Sequence, residues 1–141
     1  MKRILVTTVG LGAAIGLGST FGAAPAQAGP ASFIQTCSDI TISSSLSDGA
    51  TIKANCGTMT GQMVPASIRL KYIENVDGVL TYQPADNDGT FARSCVAVTF
   101  DPATATLSAR CKDLRGVFKR PTSLVIENIG NYNGVLKYDG E

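Results

Sequence analysis

Ser67–Tyr82 reads SIRLKYIENVDGVLTY, and Ser123–Tyr138 reads SLVIENIGNYNGVLKY. The two stretches align without a gap at an offset of 56, with seven of sixteen positions identical. Of the rest, Ile68/Leu124, Leu70/Ile126 and Asp77/Asn133 are close replacements. The likeness extends upstream. Phe33 and Cys37 match Phe91 and Cys95, and the approach to Cys56 (Ile52-Lys-Ala-Asn) matches the approach to Cys111 (Leu107-Ser-Ala-Arg). Features that recur in the same order mark an internal duplication, with copies at 33–86 and 91–138.

Each copy reads as a Phe, a Cys, a strand, a second strand ending in Cys, a loop, a third strand, a polar turn and a closing strand. Ile40 and Ile42 alternate with polar neighbours, as do Val96, Val98 and Phe100. That period of two buries one face of a strand and wets the other. Ser47, Asp48 and Gly49, and likewise Asp101 to Thr104, supply turns between paired strands. No stretch beyond residue 28 holds a helical period, so the expected class is all-β, with short helical turns near 59–65 and 112–118. Phe33, Leu46, Ile52, Ile68, Leu70, Ile73, Leu80, Val98, Phe100, Leu107, Phe118, Leu124, Ile126 and Leu136 are the expected core. Tyr82 and Tyr138, at equivalent places, are expected in the core or between packed parts.

The first 28 residues differ in kind. Met1-Lys2-Arg3, an apolar Gly/Ala-rich middle and Ala26-Gln27-Ala28 describe a secretory signal peptide; a membrane anchor is the competing reading. Removal leaves one domain, 29–141, of a secreted protein, or a periplasmic one in a bacterium. Two of the twelve basic side chains lie in the signal, against eleven acidic ones, so the remainder carries −1. Nucleic acid is held largely through phosphate neutralisation, and anionic membranes through basic clusters; neither partner is expected.

Cys37, Cys56, Cys95 and Cys111 are separated by 19, 39 and 16 positions. Structural zinc sites place ligands two to four residues apart, and the chain contains no histidine. Disulfides are the expected state of an exported chain. Equivalent copies should make equivalent bonds, Cys37–Cys56 and Cys95–Cys111. No metal or cofactor is expected. The missing histidine also removes the commonest general base. Glu74 with Asp77 could form a glycosidase pair, but Asp77-Gly78 reads as a hairpin corner, so no enzyme is expected.

What remains is binding. Glu74, Asn75, Asp77 and Gly78 recur as Gly130, Asn131, Asn133 and Gly134. Short polar side chains crowd a loop tip where hydroxyl groups could be both given and offered hydrogen bonds. In order, Phe33-x-Gln35-Thr36-Cys37, Cys56, Ile73-Glu74-Asn75-Val76-Asp77-Gly78-x-Leu80-x-Tyr82-Gln83-Pro84, Cys95, Cys111 and Gly134-x-Leu136-Lys137-Tyr138 resemble the cyanovirin-N family, from Phe33 to Tyr138. The resemblance implies two pseudo-symmetric lobes, each a three-stranded sheet plus a β-hairpin, with segments exchanged between the repeats. It implies a lectin for mannose-type glycans or glycoproteins, as a monomer or a domain-swapped dimer.

Carried over, one sugar site gathers Glu74, Asn75 and Asp77 with Arg93 and Ser94 before Cys95, and Asp113 and Arg115 after Cys111, with Asp86 beside it. The other gathers Gln35, Thr36, Thr58, Asn131 and Asn133. The chain departs from the family at Arg93, Leu114 and Gly57, and Asn133 replaces an aspartate. Those departures motivate an alternative: a structural or protein-interaction surface domain of the same fold that has lost sugar binding.

Overall fold

The computed structural model describes residues 29–141; the expected signal peptide, 1–28, lies outside them. Ten strands account for the regular structure: β1 (Cys37–Ser45), β2 (Gly49–Gly57), β3 (Met63–Arg69), β4 (Ile73–Val76), β5 (Val79–Tyr82), β6 (Cys95–Asp101), β7 (Thr106–Cys111), β8 (Thr122–Val125), β9 (Ile129–Tyr132) and β10 (Val135–Tyr138). Two single 3-10 turns, Ser32–Gln35 and Thr90–Arg93, each precede a first strand. These, and not 59–65 or 112–118, are the helical turns. The latter segments are loops that return to a strand, the second closed by a bridge between Lys112 and Phe118. The fold is all-β, as the alternation indicates.

Strands β1-β2-β3 form one antiparallel sheet and β6-β7-β8 another, with β4-β5 and β9-β10 as separate hairpins. Duplication shows in the register. Cys37 faces Cys56 and Cys95 faces Cys111, and both pairs are bonded. Each bond closes a loop of under 20 residues, which restricts the unfolded chain by roughly 3 kcal/mol. Both first strands slip register two residues after the Cys, at Asp39 (φ 53°) and Ala97 (φ 55°). Such bulges bend and twist a strand.

The hairpins do not stay with their own sheets. β4–β5, from the first copy, packs on β7, β8 and the Thr90–Arg93 turn of the second. The Leu80 N–H donates to Thr122 Oγ1 at 3.2 Å. Conversely, β9–β10 packs on β3 and on the Ser32–Gln35 turn of the first copy. Each lobe is therefore one copy's sheet closed by the other copy's hairpin.

The cause is apolar. β2 turns Ala50, Ile52, Ala54 and Cys56 inward and β7 turns Leu107, Ala109 and Cys111 inward. A single-layer sheet with one apolar face needs a cover. The covers are Ile73 and Leu80 in one hairpin, Ile129 and Leu136 in the other, with Phe33, Phe91 and Leu70 fully enclosed. Two expected core residues are not core. Leu46 is 67% exposed on the β1–β2 turn, and Phe118 sits at the rim under Arg110 and Lys112. Tyr82 is 53% exposed although its counterpart Tyr138 is buried. Tyr72 explains that difference. Its ring packs edge-on to Tyr138 at 5.1 Å, whereas the equivalent of Tyr72 is Asn128, too small to cover Tyr82 in the same way.

Burial pushes the Tyr138 phenol up to about 12 from 10.0. The raised value means that the folded state holds this proton more tightly than the unfolded one. Stability is thus intact below pH 10 and falls as pH rises towards 12, by roughly 3 kcal/mol in all. In an alkaline titration followed by tyrosinate absorbance, Tyr138→Phe should remove the step near pH 12 and flatten the stability loss between pH 10 and 12.

Candidate functional site

Each hairpin turns through two residues, Asp77-Gly78 and Asn133-Gly134, all with positive φ (50°, 92°, 55° and 88°). Two left-handed residues in succession make the tight turn whose twist matches paired strands. It also lifts the tip over the ends of the opposite sheet. A side chain at Gly134 would run into Val64, with Cβ only 2.5 Å from Cγ2.

Two side chains fasten the tip. Asn75 Nδ2 donates to Ser94 Oγ at 2.7 Å and to the Lys112 carbonyl at 2.9 Å, and its Oδ1 accepts from the Gly78 N–H at 2.8 Å. Asp77 Oδ1 accepts from the Leu114 N–H at 2.9 Å. The second tip repeats this: Asn131 bonds Thr36 Oγ1 (3.0 Å), the Gly57 carbonyl (2.9 Å) and the Gly134 N–H (2.8 Å). Asn133 Oδ1 accepts from the Met59 N–H at 2.8 Å. An amide is required at 75 and 131 because one side chain must donate twice and accept once.

These contacts bring together, at the first tip, Asn75, Asp77 and Ser94 with the loop that carries Asp113 and Arg115. Glu74, opposite Thr81 on the hairpin, and the exposed Arg93 flank them without hydrogen bonds among the described residues. The second tip joins Thr36, Asn131 and Asn133. Thr58 is beside Met59 and closes its own turn, its Oγ1 accepting from the Gln62 N–H; Gln35 is exposed next to Thr36.

Asp86 requires correction. Its carboxylate accepts from the N–H groups of Asp88, Gly89 and Thr90 and from the Thr90 hydroxyl, and its carbonyl holds the Tyr72 N–H. Turn residues that satisfy their own loop are spent on that loop. Asp86 organises the segment between the copies and joins neither tip.

Asp113 is likewise turned inward. The carboxylate takes the Val117 and Arg115 N–H groups at 3.0 and 2.9 Å, while the Arg115 guanidinium stays 83% exposed. The Val117 N–H, opposed by desolvation and helped by the Arg115 contacts, holds the Asp113 carboxyl below its ordinary 3.8. A depressed carboxyl contributes stability above its unfolded value and loses it as pH falls through the folded one. The 113–117 loop should thus keep its shape through pH 4 and loosen only in stronger acid. A titration following the Val117 amide resonance should give a midpoint below 3.8; one above it would remove Asp113 as the loop's anchor.

The partners that the sequence did not reveal are main-chain atoms: the Lys112 and Gly57 carbonyls and the Leu114 and Met59 N–H groups. Their only signal is positional, three residues after the second Cys for each N–H donor. Gly57-Thr58-Met59 and Lys112-Asp113-Leu114 share no residue because the backbone makes the contact.

Polar groups face outward beside the exposed Met59 and Leu114. Glu74, Arg93, Arg115, the second oxygen of Asp77 and the Ser94 hydroxyl surround one tip, and Gln35, Thr36 and the Asn133 amide surround the other. Each rim offers acceptors beside donors on a surface held by rigid strands, an arrangement suited to ligands dense in hydroxyl groups.

A family model described as the CVNH domain matches residues 33–137. Among solved structures, the T. borchii protein TbCVNH superposes with a TM-score of 0.64 at 22% identity, over 77% of this chain and 99% of that one. Microvirin, solved as a complex with mannobiose, gives 0.57 at 24% identity, over 77% and 98%. A MoCVNH3 variant, solved in complex with (N-GlcNAc)4, gives 0.62 at 20% identity, over 78% and 98%.

Proposed function

We propose that this chain, which belongs to the CVNH family, is a secreted lectin without catalytic activity that binds mannose-rich oligosaccharides at its two hairpin tips. CVNH homologues are carbohydrate-binding lectins, and their complexes with mannobiose and with an N-acetylglucosamine oligomer show sugar recognition in those proteins. The observation that carries the proposal is the duplicated clamp. In both copies an asparagine consumes the inward-facing hydrogen bonds, which leaves carboxylate, amide and hydroxyl groups outward in fixed positions. Fixed groups bind a flexible sugar at a smaller ordering cost.

Residues 1–28 are proposed to direct export. The first tip keeps the whole Glu-Asn-x-Asp-Gly turn, and Glu74, Asp77, Ser94, Arg93 and Arg115 are assigned to it. Gln35, Thr36, Thr58 and Asn133 are assigned to the second. Open sites of this kind bind weakly one at a time; engagement of both tips by one branched glycan would raise avidity without new contacts.

Titration of residues 29–141 with mannobiose, followed by amide resonances, tests this. Replacing Glu74 and Asp77 with alanine should weaken binding at the first tip at least tenfold and leave the second unchanged. Because Asp77 also holds Leu114, Glu74→Gln provides a milder variant expected to act in the same direction. Unchanged curves for both would remove the assignment.

A specific observation favours a second reading, a protein-docking surface. Met59 and Leu114, at equivalent places on the two rims, are 86% and 89% exposed. A glycan array that is silent with a folded sample would support it.

A further inference from the structure

Away from both tips, the bases of the two hairpins meet through Tyr72, Tyr82 and Tyr138, and there the two copies differ. The 56-residue offset pairs Lys71 with Glu127, Tyr72 with Asn128 and Tyr82 with Tyr138. One half of this junction is filled. The Tyr138 hydroxyl accepts from the Lys71 N–H at 2.7 Å. The Lys71 ammonium lies 5.3 Å from the ring centres of Tyr72 and Tyr138 and 2.9 Å from Glu141 Oε2. The chain thus holds its own cation between two rings and a carboxylate.

The other half is open. Tyr82 is 53% exposed, with its ring 6.5 Å from Tyr72. Among the described residues, the Tyr82 hydroxyl, the Glu127 carboxylate and the Asn128 amide make no hydrogen bond. Beside them lies a cleft of about 320 Å3, lined on this side by Tyr82, Asn87, Glu127 and Asn128 and on the filled side by Tyr72, Tyr138 and Glu141. That volume is at the small end of ligand sites, which run from roughly 300 to 1,000 Å3.

The chemistry of the open half follows from comparison with the filled one. Where the filled half carries Lys71, the open half carries Glu127, so no internal cation can play the same part. Glu127, Asp139 and Glu141 outnumber Lys71, which Glu141 pairs, and the nearby Lys137, so the cleft's surroundings stay negative. An aromatic face beside a carboxylate attracts a cation, and the amides of Asn87 and Asn128 can serve hydroxyls as donor and acceptor. The exposed Tyr82 ring can take the C–H face of a pyranose. From this we infer that the cleft is a third binding site, separate from the tips, for a pyranose bearing a free protonated amine, such as a hexosamine unit that is not acetylated.

The test uses amide resonances of residues 29–141 at pH 6, titrated with a β-1,4-linked glucosamine trimer and its fully N-acetylated counterpart. The glucosamine trimer should perturb Tyr82, Glu127 and Asn128, and the N-acetylated trimer should bind there at least tenfold more weakly. Glu127→Gln and Tyr82→Ala should each weaken glucosamine binding at least tenfold while leaving mannobiose titration at the tips unaltered, which also shows that the variants are folded. Asn75→Ala should leave the cleft response intact. Perturbation confined to the tips, equal response to the two trimers, or indifference to Glu127→Gln would overturn the inference. Butylamine matching the amino sugar at equal concentration would overturn the sugar assignment.

Discussion

Gly89→Ala should lower stability by on the order of 4 kcal/mol or more, enough to bring the melting temperature down by roughly 15 °C. Gly89 opens the Thr90–Arg93 turn with φ 61°, and a Cβ there would stand 2.0 Å from the Leu70 carbonyl oxygen and 3.0 Å from its carbon. The obstacle is main chain. Leu70 is fully buried and its N–H is bonded to the Ala50 carbonyl at 2.8 Å, so no side-chain rotation relieves the overlap. Gly61 is the control. Its φ of 86° is equally left-handed, but nothing lies within 4 Å of a Cβ. Gly61→Ala should cost only the conformational strain, roughly 1–2 kcal/mol. Thermal unfolding of the two variants side by side is the measurement. Equal losses would mean that the approach of the inter-copy loop to Leu70 is not what requires glycine.

The second large effect concerns binding. Asn75→Ala should abolish measurable sugar binding at the first tip, a loss of at least tenfold, and Asn131→Ala should do the same at the second. Each asparagine acts here by holding its tip: it donates two hydrogen bonds across to the opposite sheet's ends and accepts one from the glycine N–H of its own turn. Leaving their partners unpaired costs about 1–3 kcal/mol of stability as well. Asn75→Asp separates the roles, because aspartate keeps the acceptor for Gly78 but sets a carboxylate against the Lys112 carbonyl. If donation is what matters, Asn75→Asp should fail as completely as Asn75→Ala, with Gly78 still protected from hydrogen exchange only in the aspartate variant. Wild-type titration curves for Asn75→Asp would show that the clamp is dispensable.

Most of the strand plan was legible because duplication supplies a second reading of every element. Alternation located the inward faces of β2 and β7, and the copied cysteines paired themselves. The recurrent polar dipeptides marked both hairpin corners. What escaped was decided by neighbours distant in sequence. Leu46 and Phe118 satisfy any apolar criterion, yet one caps a surface turn and the other lies at a rim. Tyr82 and Tyr138 occupy equivalent places, and their fates diverge because residue 72 is a tyrosine and residue 128 an asparagine. At the tips, Asn75 and Asn131 stood out by repetition, while the carbonyls and N–H groups that they and their neighbours engage carry no residue signature. Asp86 looked like a rim carboxylate from its place in the chain; only the geometry reveals three N–H groups of its own loop aimed at it.

The crossing of hairpins between the copies also constrains the order of assembly. The sheet of the first copy is complete by Arg69, yet its apolar face stays uncovered until Ile129–Tyr138 arrives. As the chain leaves the ribosome, the lobe built from β4 to β8 is contiguous and complete by Val125, whereas the earlier sheet must wait in a loose, sticky form. Closure of that first sheet is therefore a late event, governed by a distant contact and correspondingly slow.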